Sequence, residues 1–301
     1  MAILTLDKVT KRYKDKVAVD EVSFEVQPGT IFGMLGPNGA GKTSTIRIIT
    51  TITGPDSGQV YFNGELLNKS HPSQMGYLPE ERGLYKKMKV GEHLLYLAQL
   101  KGLSRADAAK KCKLMLDRFD ALDWWHKKVE ELSKGMQQKI QFIATIVHDP
   151  ILLILDEPFT GLDPINSNMI QDEIYRLRDQ GVSILFSTHR MENVEEMCEN
   201  IILINHGKNI LMGNVKEIRN RFKKNEFKVG YNGTLPEVFS GGLELVKKGD
   251  HTATFRIPDQ DNANHLLQFL INAGCGIQSF HEILPSINEI FISQVKGISH
   301  E

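Results

Sequence analysis

The sequence has few cysteines, no long apolar run and no excess charge of either sign. Its three cysteines lie far apart and form no C-x-x-C pair, so neither a zinc site nor a disulfide framework is indicated. The apolar runs at residues 151–155 and 201–204 fall far short of the ~18–20 residues that a membrane-spanning helix needs. Lys+Arg 36 nearly balances Asp+Glu 37, so the chain is no general polycation for nucleic acid or anionic lipid.

The N-terminal segment predicts a strand rather than a signal peptide. Residues 1–7 alternate between apolar and polar types, and the segment reaches Asp7 too early for a leader. We therefore expect a soluble, cytoplasmic protein of mixed α/β class. Nucleic acid is not expected as a partner, and any role at a membrane would have to come through a partner protein.

The chain is organised around a glycine-rich loop that matches G-x-x-x-x-G-K-[ST], the pattern that wraps the phosphates of a nucleoside triphosphate. Residues 30–35 before it predict a buried strand, and residues 42–52 after it predict a helix. A helix that begins there directs backbone N–H groups and the positive end of its dipole at the phosphates. The candidate phosphate-binding residues are Gly36, Pro37, Asn38, Gly39, Ala40, Gly41, Lys42, Thr43 and Ser44.

The residue types in this loop suit phosphate chemistry. The glycines allow the backbone to approach the ligand closely. Lys42 supplies a mobile positive charge for the β- and γ-phosphates, and the hydroxyl of Thr43 is a ligand for Mg²⁺. The alternative is a glycine-rich turn that merely precedes a lysine, and the strand and helix on either side disfavour it.

A second set of candidates lies where predicted buried strands end. Residues 151–155 are apolar throughout, as in a parallel strand covered on both faces, and Asp156 and Glu157 follow them. Ligands of α/β sheets bind at this edge. We expect Asp156 to reach Mg²⁺ through water and Glu157 to polarise a water for attack on the γ-phosphate. His189, after another buried strand, is either incidental or a γ-phosphate contact.

Two further positions allow two interpretations each. Tyr13 lies in a charged turn ahead of the phosphate loop and is either ordinary packing or a stacking partner for a purine ring. Ser133 and Gly135 lie at the start of a predicted helix, a second place where an anion could be held. Alternatively, Ser133 is only the N-cap of that helix.

The composition changes after residue 213. We predict a first domain at 1–213 with a helical subdomain at about 85–149, a basic helical linker at 214–226, and a small α+β domain at 227–301. Strands at 227–231, 243–247 and 252–257, a helix at 263–273, a strand at 277–280 and a final segment ending at 292 predict a split β-α-β arrangement. This tail contains no residue cluster that suggests chemistry. It is either a ligand sensor or a dimerisation aid.

Taken together, these segments resemble the ATP-binding subunit of an ABC transporter. The phosphate loop, the signature segment at 132–137, the acidic strand at 151–157, the turn at 161–163 and the switch histidine at 189 occur in the family's order. The resemblance implies a P-loop NTPase fold with a RecA-like parallel sheet, an antiparallel β subdomain, an inserted helical subdomain and the small C-terminal α+β domain. Segments 78–85 and 132–139 are similar to bacterial export subunits, especially Nat-type sodium exporters.

The resemblance also implies partners and ligands. Two subunits, as a homodimer or with a paired ATP-binding subunit, would sandwich two ATP molecules with Mg²⁺. Each ATP would lie on Lys42, Thr43 and Glu157 of one chain and face Ser133 and Gly135 of the other. Asp163 would lie in the turn at 161–163, which matches the family's D-loop. Integral membrane permease subunits would hold the pair at the inner face of the membrane and export a substrate such as sodium or a drug.

Departures from the family pattern occur in two segments. The family usually has Gln at position 80, where an oxygen meets Mg²⁺ and the attacking water; here Glu80 brings a charge as well. Lys134 and Met136 replace two signature residues, while Ser133 and Gly135 remain. The alternative function is an ABC-type switch that acts on ribosomes or DNA. Such proteins generally carry two cassettes or a long coiled coil, and this sequence has neither.

Overall fold

The structure, a computed structural model, describes residues 1–14, 16–81, 83–236, 239, 242–257 and 263–298. The chain forms two compact units, Met1–Gly213 and Asn214–Glu301. Among the described residues, no helix is both long and apolar enough to cross a membrane.

The first unit consists of two sheets with helices between their strands. Its strands are β1 (Leu4–Tyr13), β2 (Lys16–Val26), β3 (Ile31–Leu35), β4 (Ser57–Phe62), β5 (Glu65–Leu66), β6 (Met75–Leu78), β7 (Leu152–Asp156), β8 (Ser183–Thr188), β9 (Asn200–Asn205) and β10 (Lys208–Asn214). Its helices are α1 (Lys42–Ile49), α2 (Val90–Leu100), α3 (Arg105–Arg118), α4 (Lys134–Ile146), α5 (Pro164–Asp179) and α6 (Met191–Met197).

The larger sheet places the predicted site residues at one edge. Its strand order is β10-β9-β3-β8-β7-β6, and the strands from β9 to β6 run parallel. Strands β3, β7 and β8 are buried at every position, because both faces of a parallel sheet are covered. Since β8 lies between β3 and β7, the carboxyl ends of these three strands bring the phosphate loop, Asp156 and Thr188 together.

The smaller sheet is antiparallel, in the order β2-β1-β4-β5. Apolar side chains from β1, β2 and β4 pack with those of β3 and α1 in one core cluster. The turn between β1 and β2 therefore lies on the same body as the phosphate loop, and Tyr13 pairs with Lys16 across it.

Helices α2, α3 and α4 lie between β6 and β7 in the chain and pack on one another. Hydroxyl caps start two of them: Ser104 Oγ accepts from Asp107 N at 3.1 Å, and Ser133 Oγ accepts from Met136 N at 3.3 Å. Such caps satisfy N–H groups that have no partner inside the helix.

The second unit contains a four-stranded antiparallel sheet with helices at both chain ends. Its elements are α7 (Val215–Arg221), β11 (Glu226–Asn232), β12 (Glu244–Lys248), β13 (Thr252–Arg256), α8 (Ala263–Asn272), β14 (Gly276–Ile283) and α9 (Ile287–Ile298). The strand order is β12-β13-β11-β14. Because β13 and β14 are both antiparallel to β11, α8 joins two strands of the same direction with β11 between them. This is the split β-α-β arrangement that the pattern predicts.

Part of this unit differs from the sequence-based expectation. Residues 214–226, expected as a linker, include α7, which packs on α9 and buries Val215 and Ile218. The Arg219 Nε donates to the carbonyl of Pro285 at 3.0 Å. Apolar contact and this hydrogen bond thus make the segment part of the second unit. The final segment is the helix α9.

Candidate active site

The phosphate loop has a backbone that only glycine tolerates at two positions. Gly36 has φ +155°, and a Cβ there would lie 2.2 Å from the carbonyl oxygen of Ile204. Gly41 has φ +115°, and its Cβ would lie 2.3 Å from the carbonyl oxygen of Ala18. Both glycines are therefore needed so that the loop can lie against neighbouring backbone.

Lys42 is folded back on this loop and is only 7% exposed. Its Nζ donates to the carbonyl oxygens of Gly36 at 2.7 Å and Pro37 at 3.2 Å. Burial lowers the pKa of Lys42, while the carboxylates of Glu157 and Asp156 oppose that shift. The ammonium group therefore lies beside acidic side chains and is held by weak neutral acceptors that phosphate oxygens can replace.

Asp156 ends β7 next to the first turn of α1. The Thr43 Oγ1 donates to Asp156 Oδ2 at 3.3 Å, and Asp156 is 2% exposed. Burial raises the pKa of Asp156, and the nearby carboxylates of Glu80 and Glu157 act in the same direction. A cation at this position would relieve the repulsion among these carboxylates.

Glu157 has an unusual backbone and three hydrogen-bond donors. Its φ is +53°, in the left-handed region, and its N–H donates to the carbonyl of Ser187 at 2.9 Å. Carboxylate Oε1 accepts from the His189 backbone N–H at 2.7 Å and lies 2.6 Å from His189 Nδ1. Oε2 accepts from Thr188 Oγ1 at 3.1 Å. His189 thus contacts the candidate base directly, while its side chain remains 45% exposed.

A cleft of about 370 Å³ joins most of the predicted residues. It is lined by Tyr13, Lys16, Ala18, Asn38, Gly39, Ala40, Gly41, Lys42, Thr43, Ser44, Glu80, Asp156 and Glu157. Tyr13 is 41% exposed, so its ring is available to a ligand rather than used in the core. Gly36 and Pro37 contribute the carbonyl groups that hold Lys42.

Other predicted residues lie outside the described lining of this cleft. Ser133 caps α4, and Asp163 caps α5, accepting from Asn166 N at 2.9 Å. This backbone hydrogen bond lowers the pKa of Asp163. The two helix starts are close: a Cβ on Gly135 would lie 3.8 Å from Asn166 Nδ2. The start of α4, with Ser133 and Gly135, is therefore next to the start of α5, with Asp163.

Sequence reasoning missed three residues of this region. Lys16 and Ala18 line the cleft because β2 returns beside Tyr13. From the sequence, Lys16 is predicted only as the end of a charged turn, and Ala18 as part of a strand. Thr188 was not singled out, although the strand end that carries His189 also carries its hydroxyl. The signal available was the position directly after a buried strand.

The donor set fits Mg²⁺ held together with phosphates. The cleft offers the Thr43 hydroxyl and the carboxylates of Asp156 and Glu80. Within the described ranges, no cluster of three or more His, Cys, Asp or Glu could hold a metal ion alone. Mg²⁺ is commonly bound by one or two carboxylates plus substrate phosphates, and these oxygen ligands match that pattern.

Comparison with known proteins decides the family. Residues 19–160 match the ABC transporter family model, and residues 213–295 match the model for the C-terminal domain of DrrA1-3-like ATP-binding proteins. The ABC transporter ATP-binding protein YhaQ of Bacillus subtilis (strain 168) is 42% identical over 297 residues, which cover 98% of this chain and 99% of the relative. The chain belongs to the ABC transporter ATP-binding protein family.

Further similarities agree with this assignment. The linearmycin resistance ATP-binding protein LnrL of B. subtilis (strain 168) is 32% identical, covering 73% of this chain and 71% of the relative. A solved ATP-binding subunit of an ABC transporter is 30% identical with a TM-score of 0.69, covering 73% of this chain and 93% of the solved one. The predicted P-loop NTPase fold class is therefore confirmed. The ABC-type protein is an ATP-hydrolysing transporter subunit, and the alternative of a ribosome or DNA switch is not supported.

Proposed function

We propose that this ABC ATP-binding subunit hydrolyses ATP in the cleft beside Lys42 and drives export through separate membrane subunits. The observation that carries the proposal is the convergence of Lys42, Thr43, Asp156 and Glu157 on one cleft, with Tyr13 at its edge. A cation and a hydroxyl at the start of α1, together with two carboxylates at the end of β7, are the groups that phosphoryl transfer to water requires.

ATP binding uses the phosphate loop and the turn before β2. The backbone N–H groups at the start of α1 receive the phosphates, and Lys42 exchanges its bonds to two loop carbonyls for phosphate oxygens. The exposed ring of Tyr13 stacks on the purine. The nearby Lys16 ammonium adds positive charge on the same side of the cleft.

Mg²⁺ fits beside Thr43, with Asp156 and Glu80 as the nearby carboxylates. When bound, the ion supplies positive charge to the phosphate oxygens. Glu80 is exposed, so its carboxylate can turn toward or away from the metal position.

Glu157 is the general base. Its carboxylate takes a proton from water as the new bond from that water oxygen to the γ-phosphorus forms and the bond to the bridging β–γ oxygen breaks. The products are ADP and inorganic phosphate. His189, whose Nδ1 lies 2.6 Å from the same carboxylate, orients Glu157 and lies close to the terminal phosphate.

Two subunits form each complete site. Ser133 and Gly135 lie at an N-terminal helix end, which suits an anion, yet they are outside the described lining of their own chain's cleft. In a head-to-tail dimer they contact the ATP of the partner chain, with Asp163 on the adjoining surface. ATP closes this interface and hydrolysis releases it.

The permease docks near the loop that follows β6. A groove of about 330 Å³ is lined there by Tyr77, Pro79, Leu84, Leu97, Gln141, Thr145 and neighbouring residues. Gln141 Nε2 donates to the carbonyl oxygens of Pro79 at 3.1 Å and Glu81 at 3.4 Å. The groove therefore adjoins the loop that carries Glu80. Docking holds the subunit at the cytoplasmic face of the membrane.

Export is supported by the names of the relatives, among them a Nod factor export protein of Cupriavidus metallidurans (strain CH34), 37% identical over 220 residues.

Mixing two inactive variants tests the shared site. Lys42→Ala and Ser133→Arg chains are each expected to lack ATPase activity as homodimers. In a mixed dimer, Lys42 of one chain and Ser133 of the other complete one site, so mixing restores turnover. If each variant is inactive and the mixture stays inactive although the chains associate, the trans role of Ser133 is wrong. Co-purification with a polytopic membrane protein tests the transport partner separately.

A further inference from the structure

The structure assigns a positioning role to Thr188: we propose that its hydroxyl fixes which oxygen of Glu157 accepts the proton during ATP hydrolysis. This inference rests on the proposed role of Glu157 as the base. Thr188 lies at the end of β8 and is not one of the described residues that line the cleft.

The first observation is that Glu157 is held in a rarely populated backbone state. Its φ of +53° places a long side chain in the left-handed region, which costs of order 1–3 kcal/mol and persists only where surroundings enforce it. The bond from its N–H to the Ser187 carbonyl supplies one constraint. Its side chain is 7% exposed, so the remaining constraints come from the protein rather than from solvent.

The second observation is the division of donors between the two carboxylate oxygens. Oε1 receives the backbone N–H of His189 and lies 2.6 Å from its Nδ1. Within the described part of the chain, the hydroxyl of Thr188 is the hydrogen-bond donor to Oε2. Oε1 is therefore crowded with donors from His189, and Oε2 is the oxygen with capacity for the proton of a water.

The third observation is that the direction of the Thr188 hydroxyl is determined. Thr188 Oγ1 accepts the backbone N–H of Arg190 at 3.0 Å, so its own proton points to Glu157 Oε2 at 3.1 Å. Thr188 is 2% exposed, and its β-branched side chain has restricted χ1. A rigid buried donor therefore fixes the rotation of the carboxylate about its last bond.

The three side chains therefore have different roles at the neighbouring ends of β7 and β8. His189 anchors one oxygen, Thr188 orients the other, and Glu157 accepts the proton through Oε2. Thr188 acts through Glu157 and touches neither phosphate nor water. Loss of its hydroxyl should lower the rate of the chemical step without changing ATP binding, because small misplacement of a reacting group is costly.

The test compares Thr188→Val, which removes the hydroxyl at nearly constant volume, with Thr188→Ser, which retains it. We expect Thr188→Val to lower kcat roughly 10- to 100-fold with KM and ATP-binding stoichiometry unchanged. Thr188→Ser should recover most of the loss. Thr50→Val, at the end of α1, is a matched control that should leave kcat unchanged. If Thr188→Val fails to bind ATP, Thr188→Ala serves as the variant without added bulk.

A double-mutant cycle separates positioning from a general structural effect. In a Glu157→Gln background, Thr188→Val should cause no further loss of the residual turnover. Normal kcat in Thr188→Val or Thr188→Ala overturns the proposal, as does an equal further loss in the Glu157→Gln background. Full turnover in Glu157→Gln alone would instead remove Glu157 as the base, which is a separate failure of the proposed function.

Discussion

Gln138 on α4 donates a hydrogen bond from Nε2 to the carbonyl oxygen of Pro158 at 3.1 Å, and both groups are buried. Pro158 directly follows Glu157, and α4 begins directly after Ser133. Within one chain, this hydrogen bond connects α4, the helix that would contact the ATP of the partner chain, to the segment that carries Glu157. In the proposed dimer, this bond connects two different nucleotide sites.

The first prediction is that Gln138→Leu weakens communication between the sites. Without the amide, movement of α4 is no longer transmitted to the segment at Pro158, so the Hill coefficient for ATP should fall toward about 1. The neighbouring Gln137 bonds instead to the carbonyl groups of Val129 and Leu132. Gln137→Leu is therefore the control and should retain cooperativity. Unchanged cooperativity in Gln138→Leu would contradict the link.

The second prediction concerns Tyr13 and separates its two interpretations. If its ring stacks on the purine, Tyr13→Ala should weaken binding of a non-hydrolysable ATP analogue by about 1–3 kcal/mol, while Tyr13→Phe retains the affinity. Calorimetric titration measures both. Because Tyr13 is already 41% exposed, the melting temperature should change little. A lower melting temperature with unchanged affinity would assign Tyr13 to packing.

The third prediction compares two glycines of the same loop. Gly39→Ala meets no atom within 4 Å, although its φ is +78°, so it should cost about 1–2 kcal/mol of backbone strain. Gly36→Ala adds a contact of 2.2 Å with the backbone oxygen of Ile204 and should cost roughly 1–3 kcal/mol more. Urea unfolding of both variants measures the difference. Equal losses of stability would mean that β9 does not constrain the loop.

The fourth prediction is a pH dependence of stability caused by His93 on α2. Burial lowers the pKa of His93 from 6.5 to about 4, and neither ring nitrogen has a hydrogen-bond partner among the described residues. Between these pH values the unfolded chain binds a proton that the folded chain does not. The contribution of neutral, buried His93 to the free energy of unfolding is therefore complete above pH 6.5 and declines as the pH falls toward 4.

This decline can be measured by urea unfolding at a series of pH values. One proton corresponds to about 1.4 kcal/mol per pH unit well inside the window. His93→Phe should reduce the slope by about 1.4 kcal/mol per pH unit and leave the part due to His148, whose pKa burial also lowers to about 4. His126→Gln, at an exposed position, should leave the slope unchanged. An unchanged slope in His93→Phe would place the acid sensitivity elsewhere.

The phosphate side of the cleft could be predicted from the sequence because its chemistry is local in the chain. Lys42 and Thr43 follow the glycines directly, and Asp156 and Glu157 end one apolar strand. Strand order then brings the two segments together, which is the usual consequence of parallel sheets.

Residues that enter through long-range pairing could not be predicted in the same way. Lys16 reaches the cleft only because it pairs with Tyr13 across the β1–β2 turn. The contact of Thr188 with Glu157 depends on β8 lying beside β7, and no short motif contains both residues.

One missed element did have a local signal. Ser286 and Glu289 have the spacing of a capping box. Glu289 Oε2 accepts from Ser286 N at 2.8 Å, and Ser286 Oγ accepts from Glu289 N at 3.2 Å. This pair marks the start of α9, which the apolar residues of the final segment alone do not identify as a helix.

The most direct measurement is ATP turnover and dimer formation by Glu157→Gln, with Glu192→Gln as a control at an exposed carboxylate of α6. The amide retains the shape of the side chain but cannot take a proton from water. Glu157→Gln should bind ATP, accumulate as an ATP-bound dimer in size-exclusion chromatography, and lose turnover roughly 100-fold or more, while Glu192→Gln behaves as the wild type. Wild-type turnover in Glu157→Gln would contradict its assignment as the base.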